Sequence, residues 1–490
     1  MTGQAWLNNG SAPRWRFALC GVLGLITLAA CASTEPTAPV VTAPPPVVGQ
    51  TPSPAVLAVE IAELGYTPNH MRGLDIQRVA ILLPFSARAS GARTEAENIL
   101  NAAELALFER AGESVLLIPK DTGGTPAGAR AAAEGALADG ADLILGPLFS
   151  GAVAAAGEVA AAENVPLIAF STDSTVAGEG VFLLSFPPNE EVRRVTQYAL
   201  EQGATRFGFA GPATAYGQVA YSAYSDVIVD ALGEEPEPEL AMVEIPLPEG
   251  EEPAIDPLTG EEVEPEMEER EFATGLVAEA FYDGGISAMT EAAARLASIG
   301  VERLDPAEAA EMTGANWQPS PASPFQVLLL PAGGDDLRML APVMLYEDID
   351  PLLVKFIGTG LWRDPSLARE PALAHGWFAG PEPDARARFE AVYEEIFETE
   401  PSRLAGLGYD AASLAALLAA EGAGFTAARL NDPEGFLGVD GLFRFRENGT
   451  IERGLAVYTV RRGGFDILDP APQSFEEMEE PVNVEPDPAS

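Results

Sequence analysis

A chain of 490 residues, 47% of them hydrophobic, is long enough for two cores rather than one. Its formal charge of −46 argues against nucleic acid as a partner, because phosphates are held by Lys and Arg and here acids outnumber bases 74 to 28. Both cysteines, Cys20 and Cys31, fall in the first 31 residues, so the body carries no disulfide and no Cys-built metal site, and a His-based triad or zinc site would need the only histidines, His70 and His375, to converge. No metal, cofactor or enzymatic activity is expected.

Arg14 and Arg16 precede FALCGVLGLITLAA, an apolar run too short for a membrane span, and residues 1–30 read as a signal peptide. Leu28, Ala29, Ala30 and Cys31 resemble the lipobox of bacterial lipoproteins. That resemblance implies cleavage before Cys31 and acylation there, with several chains giving stable anchoring. Residue 32 is Ala rather than Asp, which by similarity to bacterial sorting rules implies an outer-membrane anchor with the protein facing the periplasm. Residues 31–73 are Pro-rich and read as an extended tether.

The folded part begins near residue 74. RVAILLPF (78–85) is a continuous apolar run that fits a parallel strand buried on both faces. Thr94 and Glu97 form a capping-box pattern ahead of a helical face of Ile99, Leu100, Ala103, Ala106 and Leu107. SVLLIPKDTGG predicts a second strand and turn, followed by a helix from about 126 to 138. ADLILGPLFSGA (141–152) predicts strand, loop and helix meeting at Ser150, where unpaired backbone N–H groups suit an anion. VPLIAFSTD (165–173) is a fourth strand, and the alternation implies right-handed βαβ units.

VFLLSFPPNE stops at Pro187 and Pro188, as a crossover between lobes would, with Asn189 as N-cap of the next helix. The pattern then restarts with TRFGFAG, a helix from about 216 to 232, the strand LAMVEIPL, an acidic insertion over 234–271, a helix around 288–299, and FQVLLLP, DDLRMLAPVML and LLVKFIGTG. Composition makes the insertion a solvated loop or, alternatively, a contact for a basic partner surface. GWFAGPEP (376–383) is a second crossing, Asn448 and Gly449 mark a hairpin, and 470–490 reads as a disordered acidic tail. The fold class is therefore α/β with two doubly wound lobes: 74–187 with 381–437, and 188–380 with 438–469.

VAILLPF, DTGGTPAGARAAAEGALADGADLILGPLFS, VPLIAFSTD, ATAYG, FIGTGLW, GYDAASLAALL and GLFRFRENGT, in this order over about 76–465, resemble the type I periplasmic binding proteins that include the leucine/isoleucine/valine receptors. The resemblance implies two Rossmann-like lobes joined by three crossings, the third near 436–439, with a hinge that closes over a ligand. DTGGTPAGA with GADLILGPL also resembles the carboxyl-terminal domain of outer-membrane lipoproteins that activate penicillin-binding proteins, although the helical-repeat amino-terminal domain of those proteins is replaced here by the tether. Two functions follow from the resemblance: contact activation of a peptidoglycan synthase, or solute capture for a branched-chain or related amino-acid ABC transporter.

A ligand cleft would be floored by Ser86, Phe149, Ser150, Ser171 and Thr172 and covered by Tyr216, Leu361 and Trp362. Hydroxyls and loop N–H groups suit the carboxylate of a small amino-acid-like ligand, and aromatics shield it. Each hydroxyl serves equally well as a helix cap or turn former, and Tyr216 and Trp362 as packing between lobes. Asp364 is the nearest acidic candidate for a ligand ammonium. Asp121 with Gly123 and Gly124 reads as turn chemistry, and Tyr409 with Asp410 as a cap and packing pair.

Overall fold

The computed structural model describes residues 67–479 apart from 69–70, 112–113, 245–262, 264–265, 302–313 and 423. The lipobox with Cys31, residues 1–66 generally, His70, the middle of the acidic insertion and residues 480–490 lie outside the described residues.

In the first lobe β1 (Gln77–Leu83), α1 (Ser90–Arg110), β2 (Val115–Asp121), α2 (Pro126–Ala138), β3 (Leu143–Leu145), α3 (Ser150–Ala162), β4 (Leu167–Ala169) and β5 (Val181–Leu183) follow one another. The strands pair in the order β2-β1-β3-β4-β5, all parallel. Helices cover both faces, which is why the strands are apolar throughout rather than alternating. Val79, Ile81 and Leu83 join the cluster beneath α1, while Ala80 and Leu82 join the one beneath α2 and α3. At the end of β3, Gly146 has φ +79, and a Cβ there would stand 2.3 Å from the Leu82 carbonyl oxygen, so only glycine lets the chain turn.

The second lobe is built from α4 (Pro188–Glu201), β6 (Arg206–Pro212), α5 (Ala215–Leu232), β7 (Glu239–Glu244), β8 (Met267–Phe272), β9 (Gly275–Tyr282), α6 (Gly285–Ala297), β10 (Val327–Leu329), α7 (Gly334–Tyr346), β11 (Lys355–Gly358) and β12 (Trp377–Gly380). The chain then returns to the first lobe. There α8 (Pro383–Phe397), α9 (Ala405–Ala420), α10 (Ala427–Leu430), β13 (Phe436–Gly438), β14 (Gly441–Phe445) and β15 (Ile451–Arg453) send Phe389, Tyr409, Leu430, Phe443 and Ile451 into the α1 core. β16 (Ala456–Arg461) and β17 (Gly464–Asp469) complete the second sheet, in the order β17-β16-β12-β11-β10-β6-β9, and α11 (Phe475–Glu479) follows. Strands β9 to β12 run parallel, and β16 and β17 add an antiparallel edge.

Several expectations are corrected. The chain enters the second-lobe sheet for the last time at Ala456, not near 436–439, because β13 pairs with β14 and the hairpin at Asn448 and Gly449 packs into the first-lobe core. α1 begins at Ser90 with Ala89 as N-cap, so Thr94 and Glu97 lie inside the helix. α4 is capped by Pro187 rather than Asn189, with Pro188 in its first turn, where a missing N–H costs nothing. VFL ahead of it is a sheet strand, β5, and the crossing comes after it. WFAG is likewise a sheet strand, β12.

The flanks of the acidic insertion are not loop. β7 and β8 form a two-stranded antiparallel ribbon, and the parallel place beside β6 goes to β9, whose Gly275, Ala278, Ala280 and Tyr282 are buried. The beginning of the supposed tail is packed as well: Phe475 is buried, and the Arg444 guanidinium lies 4.3 Å from its ring centroid. Among the described residues no helix is long and apolar enough to cross a membrane.

Candidate functional site

The carboxyl ends of the first-lobe strands bring most of the expected hydroxyls to one rim, but they are already engaged. The Ser86 backbone N–H donates to Asp121 Oδ1 at 3.1 Å, and its side chain bonds the same carboxylate. Partial burial pushes Asp121 up. The bonds from Ser86, Gly123 and Phe85 more than offset this, so its pKa is lowered. Ser150 is the first residue of α3 rather than its N-cap, which is Phe149, and its side chain bonds Asp173.

Asp173 also accepts from Thr175 Oγ1 at 2.6 Å and Thr175 N at 3.1 Å; the Thr175 hydroxyl leads in holding its pKa low. Ser171 is buried and its Oγ accepts the Asp173 N–H at 3.2 Å. Sequence reading assigned these serines to a ligand carboxylate; here they bond the protein's own aspartates. Phe149 is 41% exposed, beside Gly124.

From the second lobe, Tyr216 at the start of α5 shares a 2.9 Å hydrogen bond with Thr359 Oγ1. Burial, then the nearby Glu191 charge, raises its pKa well above the usual phenol range. Leu361 is half-buried against Gly333. Trp362 is a correction: it is fully buried in the second-lobe core, with Nε1 donating to the Leu330 carbonyl at 3.2 Å, and it faces no cleft. Asp364 is a turn former whose Oδ1 accepts the Ser366 N–H at 2.8 Å.

Between the lobes lies a cavity of about 600 Å³. Of the eight expected cleft residues, Thr172 and Tyr216 line it, together with Asp173, Asp226, Arg193 and Arg446. Both signs of charge therefore face the space, as a zwitterion requires.

Behind the cavity, sequence reading missed a buried ionic network across the crossings. Glu191, in the first turn of α4, accepts the Gly360 N–H at 3.0 Å and pairs with Arg403 at 2.8 Å, which ties a first-lobe loop to the second lobe. Burial raises the Glu191 pKa against the pull of Arg403. Arg403 and Arg453 each place Cζ 4.6 Å from the Phe186 ring centroid. Arg386 meets Asp440 at 3.1 Å, and Asp410 accepts the Val439 N–H at 2.7 Å. The only sequence signal was a pair of glutamates just after Pro187 and Pro188, which reads equally as an exposed helix start.

Asp410 titrates in a useful range, because burial and then the Asp440 charge raise it to about 7. A carboxyl group raised in the folded state keeps its proton longer than the unfolded chain does, so stability falls as pH rises from about 4 through about 7. Asp410→Asn keeps an oxygen for Val439 but cannot ionise. Relative to the parent, its Tm is expected to rise by about 2–5 °C between pH values of about 5 and about 8, read by circular dichroism melts; a constant difference contradicts this assignment.

The two lobes have the fold of the type I periplasmic binding proteins. Residues 77–241 match the family model described as "Periplasmic binding protein". Among solved structures, a candidate branched-chain amino acid ABC transporter chain from Rhodospirillum rubrum aligns with TM-score 0.57 and 16% identity, covering 80% of this chain and 100% of that one. A branched chain amino acid ABC transporter periplasmic ligand-binding protein from Burkholderia xenovorans gives 0.55 and 15%, covering 81% and 96%. The ABC transporter substrate-binding protein from Desulfitobacterium hafniense, in complex with Leu, gives 0.51 and 16%, covering 80% and 99%. No curated protein matches the chain.

Proposed function

We propose that this chain is a receptor-type protein that holds a small zwitterionic solute between its lobes and performs no reaction of its own. The observation that carries this reading is the interlobe cavity of about 600 Å³, lined from both lobes and by both signs of charge. The Desulfitobacterium hafniense protein holds Leu in the same fold, so amino acids are the first ligands to test. Titration calorimetry with branched-chain and other amino acids is expected to give saturable heat. Tyr216→Ala, which removes a lobe-two wall, is expected to weaken binding by about 10- to 100-fold. Absence of heat and of any Tm shift at millimolar ligand overturns the reading.

A second reading has its own observation. With Ser86 and Ser150 committed to Asp121 and Asp173, two of the first-lobe hydroxyls expected to hold an amino-acid carboxylate are taken by the protein itself, and Thr172 is the expected hydroxyl left on the cavity wall. An outer-membrane lipoprotein, acylated at Cys31 and tethered through 31–73, would instead use the two lobes as a contact module that activates a peptidoglycan synthase of the penicillin-binding class. Mass spectrometry of Cys31 and synthase assays with added protein discriminate the two. Stimulation without any ligand heat supports the contact module, and ligand heat with a permease partner supports the receptor.

A further inference from the structure

Away from the interlobe cleft, α1, α8, α9 and β13 leave a cavity of about 260 Å³ on the first lobe. Leu105, Phe389 and Val392 give it an apolar wall, and Leu437, 79% exposed, stands at its edge. The pocket opens to solvent at Arg388 and Leu437, and its volume is enough for a small molecule.

Two polar groups on the lining are only weakly engaged, or not engaged, by the fold. Ser413 Oγ is buried without a hydrogen-bond partner among the described residues. Such groups are uncommon and need a reason. Arg388 is exposed; its Nε reaches only the Asp384 carbonyl at 3.4 Å, and no carboxylate pairs with it among the described residues. A free guanidinium beside an apolar wall is suited to a carboxylate, which it can hold through two parallel bonds. Asp410 also lines the space, but its oxygen is committed to the Val439 N–H. Of the other charged residues on the lining, Glu109 accepts the Tyr409 hydroxyl and Arg110 lies against the Tyr409 hydroxyl and ring; the two carboxyl groups disfavour a second acid beside them, so the ligand's acid is assigned to Arg388.

We propose that this cavity is a second small-molecule site, distinct from the interlobe cleft, which takes an apolar carboxylate carrying a hydroxyl. The acid pairs with Arg388, the body lies against Leu105, Phe389 and Val392, and the hydroxyl satisfies Ser413.

Saturation-transfer NMR and calorimetry on the whole chain, with 4-hydroxyphenylacetate and phenylacetate as probes, test this. The hydroxylated acid is expected to bind about tenfold more tightly. Arg388→Gln is expected to weaken it by at least about tenfold, and Ser413→Leu, which fills the space, to abolish binding while the melting transition stays cooperative. Tyr216→Ala, in the other cavity, leaves it unchanged, so loss of the interlobe reading does not touch this one. Binding that survives both cavity variants, that disappears in Tyr216→Ala, or that is absent for both acids at millimolar concentration overturns the proposal. Should Arg388→Gln fail to fold, Ser413→Leu decides alone.

Discussion

Replacing Arg453 by methionine is expected to destabilise the protein by about 3–5 kcal/mol, the usual cost of stranding buried charges. Arg453 is 3% exposed, at the end of β15 immediately before the chain crosses into the second lobe. Its Nε donates to the Ser185 carbonyl at 2.8 Å, on the first crossing, and its Nη1 to the Asp440 carbonyl at 3.2 Å. Burial lowers its pKa, and Asp440, Asp410 and Glu191 support its charge in that order. Methionine fills the volume and stacks on Phe186, yet it leaves three carboxylates facing two guanidiniums, Arg386 and Arg403. Urea unfolding should show the loss, and Arg453→Met with Glu191→Gln should recover part of it, since one stranded charge is gone. A single-variant loss under about 1 kcal/mol would mean that solvent reaches the network and that it does not hold the crossings.

The same network explains what sequence could and could not reveal. Strands β1, β3, β10 and β11 were legible because burial on both faces writes itself as uninterrupted apolar residues, from Val79 to Leu83 in the clearest case. β9 was not: GLVAEAFY lies close to a run of glutamates, and composition over the window masked an edge strand with one buried face and one half-buried face. The ionic groups were illegible for a different reason. Glu191, Arg403 and Arg453 are distant in sequence and ordinary in type; only the three crossings bring them together. Ser86 and Ser150 do follow the carboxyl ends of first-lobe strands, but their partners, Asp121 and Asp173, come from neighbouring βα loops. A local reading assigns a hydroxyl to a ligand when a nearby loop has already claimed it.

Trp362 shows how a turn redirects a side chain, and its removal is the second large effect. Trp362→Ala is expected to cost about 3–5 kcal/mol, through lost contact and the cavity left behind; the Leu330 carbonyl loses the indole but still accepts the Ala332 N–H at 2.9 Å. An aromatic just past the end of β11 looks placed to cap a cleft. The 3₁₀ turn Gly360–Trp362 instead folds the indole back over its own strand, into space that Gly358 leaves open: a Cβ on Gly358 would stand 2.0 Å from Trp362 Cε2. Phe378 and Leu373 enclose the same core. The two possible roles separate cleanly by measurement. A core tryptophan makes Trp362→Ala lower the urea midpoint sharply while the folded fraction binds interlobe ligand with nearly unchanged affinity, and Trp362→Phe loses less. A cleft tryptophan would do the reverse, weakening ligand binding as Tyr216→Ala is expected to, with the midpoint hardly moved.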